Sequence, residues 1–454
     1  MDAVAHLRLH TSEACQAAVD VVRSLRNAGH SAYLVGGCVR DLVLGLDPKD
    51  YDVATSASPA ETCALFRHVV EVGVAFGVVR VRLPMLHGDG FIETEVATFR
   101  AEEGHSDGRR PDTVRFTDAR EDVLRRDFTL NGLLLDPLTE DGRSAEECLV
   151  VDWVGGLADL NAHVLRAIGV PAQRFHEDAL RLLRAARFAA RFGLAVEPQT
   201  AGAIRAAAPT LRRVSAERIA GELGLMLTGS DAVQALVLLQ DLGLSTTLWP
   251  DLCAADPQLV ACRKRFGDLA RELRAAAQDV PPSHFAPETA VRLPLAVAAL
   301  WWPLRARQRP DDLAREWRLS NADGALLRDI WRLSEEIQPW VLSDAARTPA
   351  LVRLLRQPAA DAALLLLLVT EPDAACQQRL RALRQWRADT PRDRWWPKLL
   401  VTGDGLLALG HAPGPAFRAA LGAAEDAQLA GADYGAAFSA ALSALAQVQP
   451  ANRS

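Results

Sequence analysis

Two aspartates stand one residue apart, Asp50 and Asp52, in the stretch YLVGGCVRDLVLGLDPKDYDVAT that runs from Tyr33 to Thr55. On an extended chain that spacing puts both carboxylates on one face and Tyr51 on the other. Like charges held so close repel unless a cation neutralises them. A hard divalent ion held by one or two carboxylates, with water and substrate phosphates completing its shell, is the pattern of a magnesium site. A solvated acidic pair is the plain alternative. Upstream, Gly36 and Gly37 close an apolar run and open a helix. The amides of such a turn, with the helix N-terminus, can hold a phosphate, and Arg40, one turn further on, can reach the same anion. A glycine pair by itself is only a tight turn. Placed shortly before D-x-D, it delivers a phosphate cradle and a metal to one place.

A third carboxylate is expected from a neighbouring strand. FIETEVATFR offers Glu93 and Glu95 on one face, and Glu95 is the preferred candidate. Further on, RRDFTLN puts Arg125, Arg126 and Asp127 together, read as helical. A longer helical pattern, FHEDALRLLRAARFAARFG, carries Asp178, Arg181, Arg184, Arg187 and Arg191 beside an apolar set of Leu180, Leu183, Phe188 and Phe192. Asp178 and Arg181 are neighbours on such a helix, as are Arg187 and Arg191. Residues 161–218 hold ten arginines against four acidic residues, a local excess of six positive charges in a chain whose net charge is −6. That patch suits a polyanion.

These residues need elements to hold them. A helix is expected over 12–29, capped by Thr11 or Ser12 and stopped at Gly29. AYLVGG reads as a short buried strand, CVRDLVLG as a helix ended by Gly45, YDVAT as a strand, and SPAETCALF as a helix with Ser58 at its N-cap and Pro59 at its first position. GVVRVRL and FIETEVATF alternate as half-buried strands do. RAEEGHSDGRRP, from Arg100 to Pro111, is polar and glycine-containing, hence a loop; AREDVLRRDFTLNGLLLD reads as helical. From about residue 160 strand signals give way to amphipathic helical patterns. The expected architecture is an α+β head with a mixed sheet over 1–155, a helical neck over 156–230, a helical body over 231–395 and a helical tail over 396–454.

Composition bounds the rest. At 454 residues the chain is long enough for more than one domain. Only Lys49, Lys264 and Lys398 are lysines, so nearly all positive charge is arginine, which suits bidentate phosphate and base contacts. The seven cysteines are scattered without a C-x-x-C pair, so neither a zinc site nor a disulfide framework is indicated, and a cytoplasmic location is expected. The N-terminal stretch lacks a signal-peptide apolar core. The longest apolar run, AALLLLLVT from Ala362, is too short to span a bilayer. No membrane association and no protein partner is indicated.

The motifs VGGCVRD…KDYDVAT, EVATFR…DGRRPDTVRF, RRDFTLNGLLLD and EDALRLLRAARFAARFG, in that order over roughly residues 30–220, resemble those of the class II tRNA nucleotidyltransferases and bacterial poly(A) polymerases. The segment 400–431 also resembles the tail of many CCA-adding members. The resemblance implies a polymerase-beta-like head and a template-independent enzyme that adds or repairs the CCA end of tRNA from CTP and ATP with Mg2+. Asp50 and Asp52 would bind the metal, with Glu95 as third carboxylate. Gly37 and Arg40 would contact the nucleotide's phosphates and sugar, and Arg126 would lie near the triphosphate. Asp178 and Arg181 would read the base edge, with Arg184 and Arg187 supporting that pocket. The loop over 100–116 matches the family's flexible loop, although His105 stands where many members have tyrosine. An enzyme adding only the terminal A and a poly(A) polymerase share the same head. A catalytically dead RNA-binding protein would not need Asp50, Asp52 and Arg126 intact.

Overall fold

The structure, a computed structural model, describes residues 3–9, 12–73, 77–85, 87–103, 113–139, 144–257, 259–278, 292–343, 348–391 and 396–448. The chain divides into two compact units. One comprises Met1–Met226 and Gln234–Leu259; the other comprises Leu227–Val233 and Val260–Ser454.

The first unit is built on a mixed sheet. Its strands are β1 (Ala3–Leu7), β2 (Ala32–Val35), β3 (Asp52–Thr55), β4 (Val69–Gly73), β5 (Val78–Pro84), β6 (Phe91–Thr98), β9 (Leu134–Leu138) and β10 (Ser144–Asp152), in the order β1-β10-β9-β2-β3-β6-β5-β4. Only β3 and β6 run parallel; every other neighbouring pair is antiparallel. Helix α1 (Glu13–Asn27) lies across β2, β3, β6 and β9. It starts where the Ser12 hydroxyl accepts from the Cys15 amide at 3.3 Å. Its buried Val21, Val22 and Leu25 face the sheet, each contributing about 1.5–3 kcal/mol relative to exposure. Helix α2 (Gly37–Val43) follows the glycine turn, and α3 (Pro59–Leu65) opens with a complete capping box between Ser58 and Glu61.

Other parts depart from the local pattern. β1 carried no sequence signal; it forms because β10 offers it an antiparallel edge. The stretch read as one helix from Ala119 to Asp136 divides into α4 (Ala119–Leu124), a 3-10 turn at Thr129–Asn131 and strand β9. Leu134 and Leu135 are buried in the sheet, directly after the buried Leu133, so an apolar run read as helical becomes a central strand. Strands β7 (Arg100–Glu103) and β8 (Thr113–Phe116) pair as the ends of the expected loop, whose middle, with His105, lies outside the described residues. α5 (Gly156–Asn161) has its N-terminus capped by Asp152, which accepts from four successive amides between Val154 and Leu157. A short parallel pair, β11 (Val164–Leu165) with β12 (Ala195–Val196), falls in the segment expected to lack strands. The helices there are α6 (Pro171–Glu177), α7 (Leu180–Phe192), α8 (Pro198–Ala207) and α9 (Ala216–Leu227).

Among the described residues, the regular elements of the second unit are all helices. Its helix Ala360–Thr370 buries Leu364 through Val369. Val401, Leu406, Ala420, Ala424, Ala437, Ala441 and Leu445 form a separate core near the C-terminus. Glu425 of that part pairs with Arg353 and Arg356. Among the described residues no helix is long and apolar enough to cross a membrane.

Candidate active site

The parallel pairing of β3 with β6 brings the acidic residues together. Val53 stands opposite Val96, so one step back along both strands Asp52 stands beside Glu95. β3 begins at Asp52; Asp50 precedes it, and the alternation holds, with Tyr51 buried and both aspartates exposed. Although Asp52 meets solvent, desolvation by the surrounding protein, then Glu95, then Asp50 push its pKa up to about 6, while Arg126 acts against them. Glu93 is engaged differently, by Arg82 at 2.8 Å and Arg80 at 3.6 Å. Of the two glutamates, Glu95 is the one beside Asp52.

The glycine turn lies next to this cluster. Gly36 adopts φ +71°, ψ −122°, a conformation that disfavours a side chain, and a Cβ there would stand 3.1 Å from Arg126 Nη1. Asp122 fixes that guanidinium, accepting from Arg126 at 3.0 Å and from Arg125 at 2.6 Å. Burial would raise Asp122, but the two arginines outweigh it and hold its carboxyl below the usual range. Arg126 Nε is buried without a hydrogen-bond partner among the described residues. Arg125, Arg126 and Asp127 do not share a helix: α4 ends before them, both arginines turn back onto Asp122, and Asp127 meets Arg184.

Arg40 is buried, unlike a typical phosphate-binding arginine. It donates to Asp41 at 2.6 and 2.8 Å and to Asn131 at 2.8 Å, and lies over the Phe192 and Phe188 rings at 4.5 and 5.3 Å. Its Nη2 is 3.6 Å from where a Cβ on Gly37 would sit, so it underlies the turn. This fastens α2 to α7 through a cation lying against two aromatic rings of α7.

The helix read through Asp178 is broken there. Asp178 takes extended angles, ends α6, and accepts from the Leu180 amide at 3.0 Å to start α7. Its carboxylate is held by Arg218 of α9. Arg181 pairs with Glu177 at 2.7 Å and donates to the Arg125 carbonyl at 3.3 Å. Arg184 binds Asp127 at 2.7 Å; burial works against Asp127 ionising, yet Arg184 and the Asn131 amide hold its pKa down. Arg187 binds Glu222 at 2.6 Å and covers the Phe188 ring at 4.3 Å. Asp122, Asp127, Asn131, Arg218 and Glu222 are therefore built into the site, although spacing along the chain singled none of them out as partners.

Among the described residues no three His, Cys, Asp or Glu side chains converge as a closed metal-holding group. The like-charged Asp50, Asp52 and Glu95, with Asp52 pushed up, nonetheless fit a hard cation that keeps water and substrate oxygens in its shell.

Fold and site together define a nucleotidyltransferase head joined to helices. Residues 32–166 match the poly(A) polymerase head-domain family, and residues 193–256 match a family described as the probable RNA and SrmB-binding site of polymerase A. The chain is 34% identical over 425 residues to the CCA-adding enzyme of Lacticaseibacillus paracasei, covering 92% of each. It belongs to the CCA-adding enzyme family. It is 44% identical over 222 residues to the CCA-adding enzyme of Limosilactobacillus fermentum, a match that takes in 49% of this chain and spans only about half, 52%, of that relative. The crystal structure of the Bacillus stearothermophilus CCA-adding enzyme in complex with CTP superposes with a TM-score of 0.69 at 26% identity, covering 95% of this chain and 98% of that one. The Thermotoga maritima CCA-adding enzyme complexed with tRNA shares the fold, with a TM-score of 0.69 at 16% identity, covering 99% of this chain and 100% of that one.

Proposed function

We propose that this protein is a template-independent RNA nucleotidyltransferase that adds or repairs the 3′-terminal CCA of tRNA from CTP and ATP, releasing pyrophosphate, with Mg2+ as its ion and the cytoplasm as its location. The observation that carries the reading is the juxtaposition of Asp52, Glu95 and Asp50 with Arg126 over the Gly36 turn. Asp50 and Asp52 hold the ion, and Glu95 adds negative charge beside them. When bound, magnesium lowers the pKa of the attacking 3′-hydroxyl and offsets charge on the leaving pyrophosphate. The Arg126 guanidinium and the amides after Gly36 take the triphosphate. Arg40 supports Gly37 from beneath. Asp178 and Arg181 present an acceptor and donors to the base edge, and Arg184 and Arg187 support that pocket, Arg184 by tying α7 to Asp127 of the head and Arg187 by tying it to Glu222 of α9. Positioning and charge neutralisation supply most of the rate. Affinity for the tRNA body comes from the arginine-rich segment 161–218.

The deciding experiment incubates the protein and Mg2+ with tRNA ending at the discriminator base, at C-C and at C-C-A, giving each triphosphate in turn. The expected outcome is addition of C, C and A followed by a stop. Addition confined to the last A would make it an A-adding enzyme. Long tails on unstructured RNA, with little action on tRNA lacking its end, would make it a poly(A) polymerase.

A further inference from the structure

Asp178 is the acceptor for the base edge in the proposed function, and the role inferred here for its partner Arg218 rests on that reading. The carboxylate is already fixed before any nucleotide arrives. Arg218, forty residues downstream on α9, donates Nη1 to Oδ1 at 3.1 Å and Nη2 to Oδ2 at 2.7 Å. The Leu180 amide donates to Oδ1 as well, at 3.0 Å. The two side chains are 21% and 18% exposed, so solvent does little to loosen the fork. The arginine nearest in sequence is committed elsewhere, because Arg181 is tied to Glu177 and to the carbonyls of Arg174 and Arg125.

Lone-pair accounting shows what the fork does. A carboxylate has about four acceptor positions, two on each oxygen, and no donor. Arg218 takes one on each oxygen and Leu180 takes the second on Oδ1. One position on Oδ2 remains. Cytosine and adenine present an amino donor at N4 and N6, where uracil-type and guanine edges present a carbonyl oxygen. An acceptor locked in plane and left with one vacant position accepts an amino group and repels a carbonyl. A carboxylate free to rotate would meet either base through water. We infer that Arg218 is a specificity-determining positioning residue: its fork holds Asp178 so that Oδ2 alone is offered to the amino group of C or A. Arg218 acts through Asp178, without contacting the reacting atoms.

The test measures kcat/KM for CTP and for UTP on tRNA ending at the discriminator base. Arg218→Ala is expected to lower the CTP-over-UTP ratio at least tenfold. Arg218→Lys is expected to restore part of that ratio, since an ammonium can hold one oxygen but not the plane. In an Asp178→Ala background, Arg218→Ala should change selection no further, because the two act as one unit. A merely structural arginine would slow CTP and UTP alike, and that result overturns the inference. If Arg218→Ala fails to fold by thermal melting, Arg218→Gln and equilibrium binding of CTP against UTP without tRNA carry the same comparison, with an unchanged preference overturning it. If Asp178→Ala relaxes selection and the Arg218 variants do not, only the role of Arg218 falls. If Asp178→Ala leaves selection intact, the base-reading assignment falls and this inference with it.

Discussion

At Asp52, desolvation, Glu95 and Asp50 all push in one direction, and only Arg126 opposes them. A carboxyl raised in the folded protein contributes stability below its ordinary pKa of 3.8 and loses it as pH rises through about 6. The metal-free protein should therefore carry an electrostatic penalty at neutral pH that is absent near pH 4. Because Asp52 is open to solvent, screening reduces that penalty to on the order of 1 kcal/mol. Asp52→Asn should raise the metal-free Tm at pH 7.5 by roughly 2–4 °C, and added Mg2+ should raise the Tm of the native protein but not of the variant. Equal melting of the two proteins without metal would show that the carboxylates do not strain one another. The neighbouring glutamates separate in the same way. Glu95→Gln should cut turnover at least tenfold in the incorporation assay. Glu93→Gln, which breaks only exposed pairs with Arg82 and Arg80, should change it little.

At the scale of elements, three pieces of chain must meet with little tolerance: the Gly36 turn, the 3-10 turn at Thr129–Asn131, and α5. A Cβ on Gly156, the first residue of α5, would stand 2.3 Å from the Thr129 carbonyl oxygen. That contact is with backbone, so nothing soft can give way. Gly156→Ala should therefore push α5 off the turn at a cost of about 3 kcal/mol, seen as a fall in Tm of several degrees. Asn131 holds both Arg40 and Asp127, so nucleotide affinity should fall with it. A variant that melts normally and binds CTP normally would mean that the turn and the helix can separate without consequence. The break at Asp178 belongs to this scale too. Its side chain starts α7 and also meets Arg218, so one residue sets both the helix boundary and the orientation of the acceptor.

For the whole molecule, the relevant property is a positive patch on a negatively charged chain. Arg205, Arg212 and Arg213 are exposed on α8 and the turn after it, within the segment matched by the RNA-binding family. If each neutralises one phosphate, replacing all three with glutamine should reduce the slope of log Kd against log salt for tRNA by roughly 2–3, with turnover at saturating tRNA nearly unchanged. An unchanged slope in filter binding at several salt concentrations would place these arginines away from the RNA.

What the sequence determined by itself was chemistry and order. The D-x-D pair, the glycine turn and the succession of motifs carry the resemblance to a nucleotidyltransferase family, while periodicity, capping and turn residues, which act within a few positions of one another, placed many of the strands and helices. The Ser58–Glu61 capping box and the buried Tyr51 between exposed aspartates are local facts of that kind. What only the tertiary structure decided were partners. Arg40 meets Asn131 across 91 residues, Arg184 meets Asp127 across 57, and Arg218 meets Asp178 across 40. Each join depends on how elements pack, and no spacing along the chain encodes it. For the same reason GLLLD became a strand: its leucines are apolar in either conformation, and the vacancy between β2 and β10 chose the extended one. Asp178 and Arg181, neighbours by helical spacing, were drawn to different partners because Arg218 and Glu177 offered each a charge-assisted bond in half-buried surroundings that neither side chain could leave unpaired without cost.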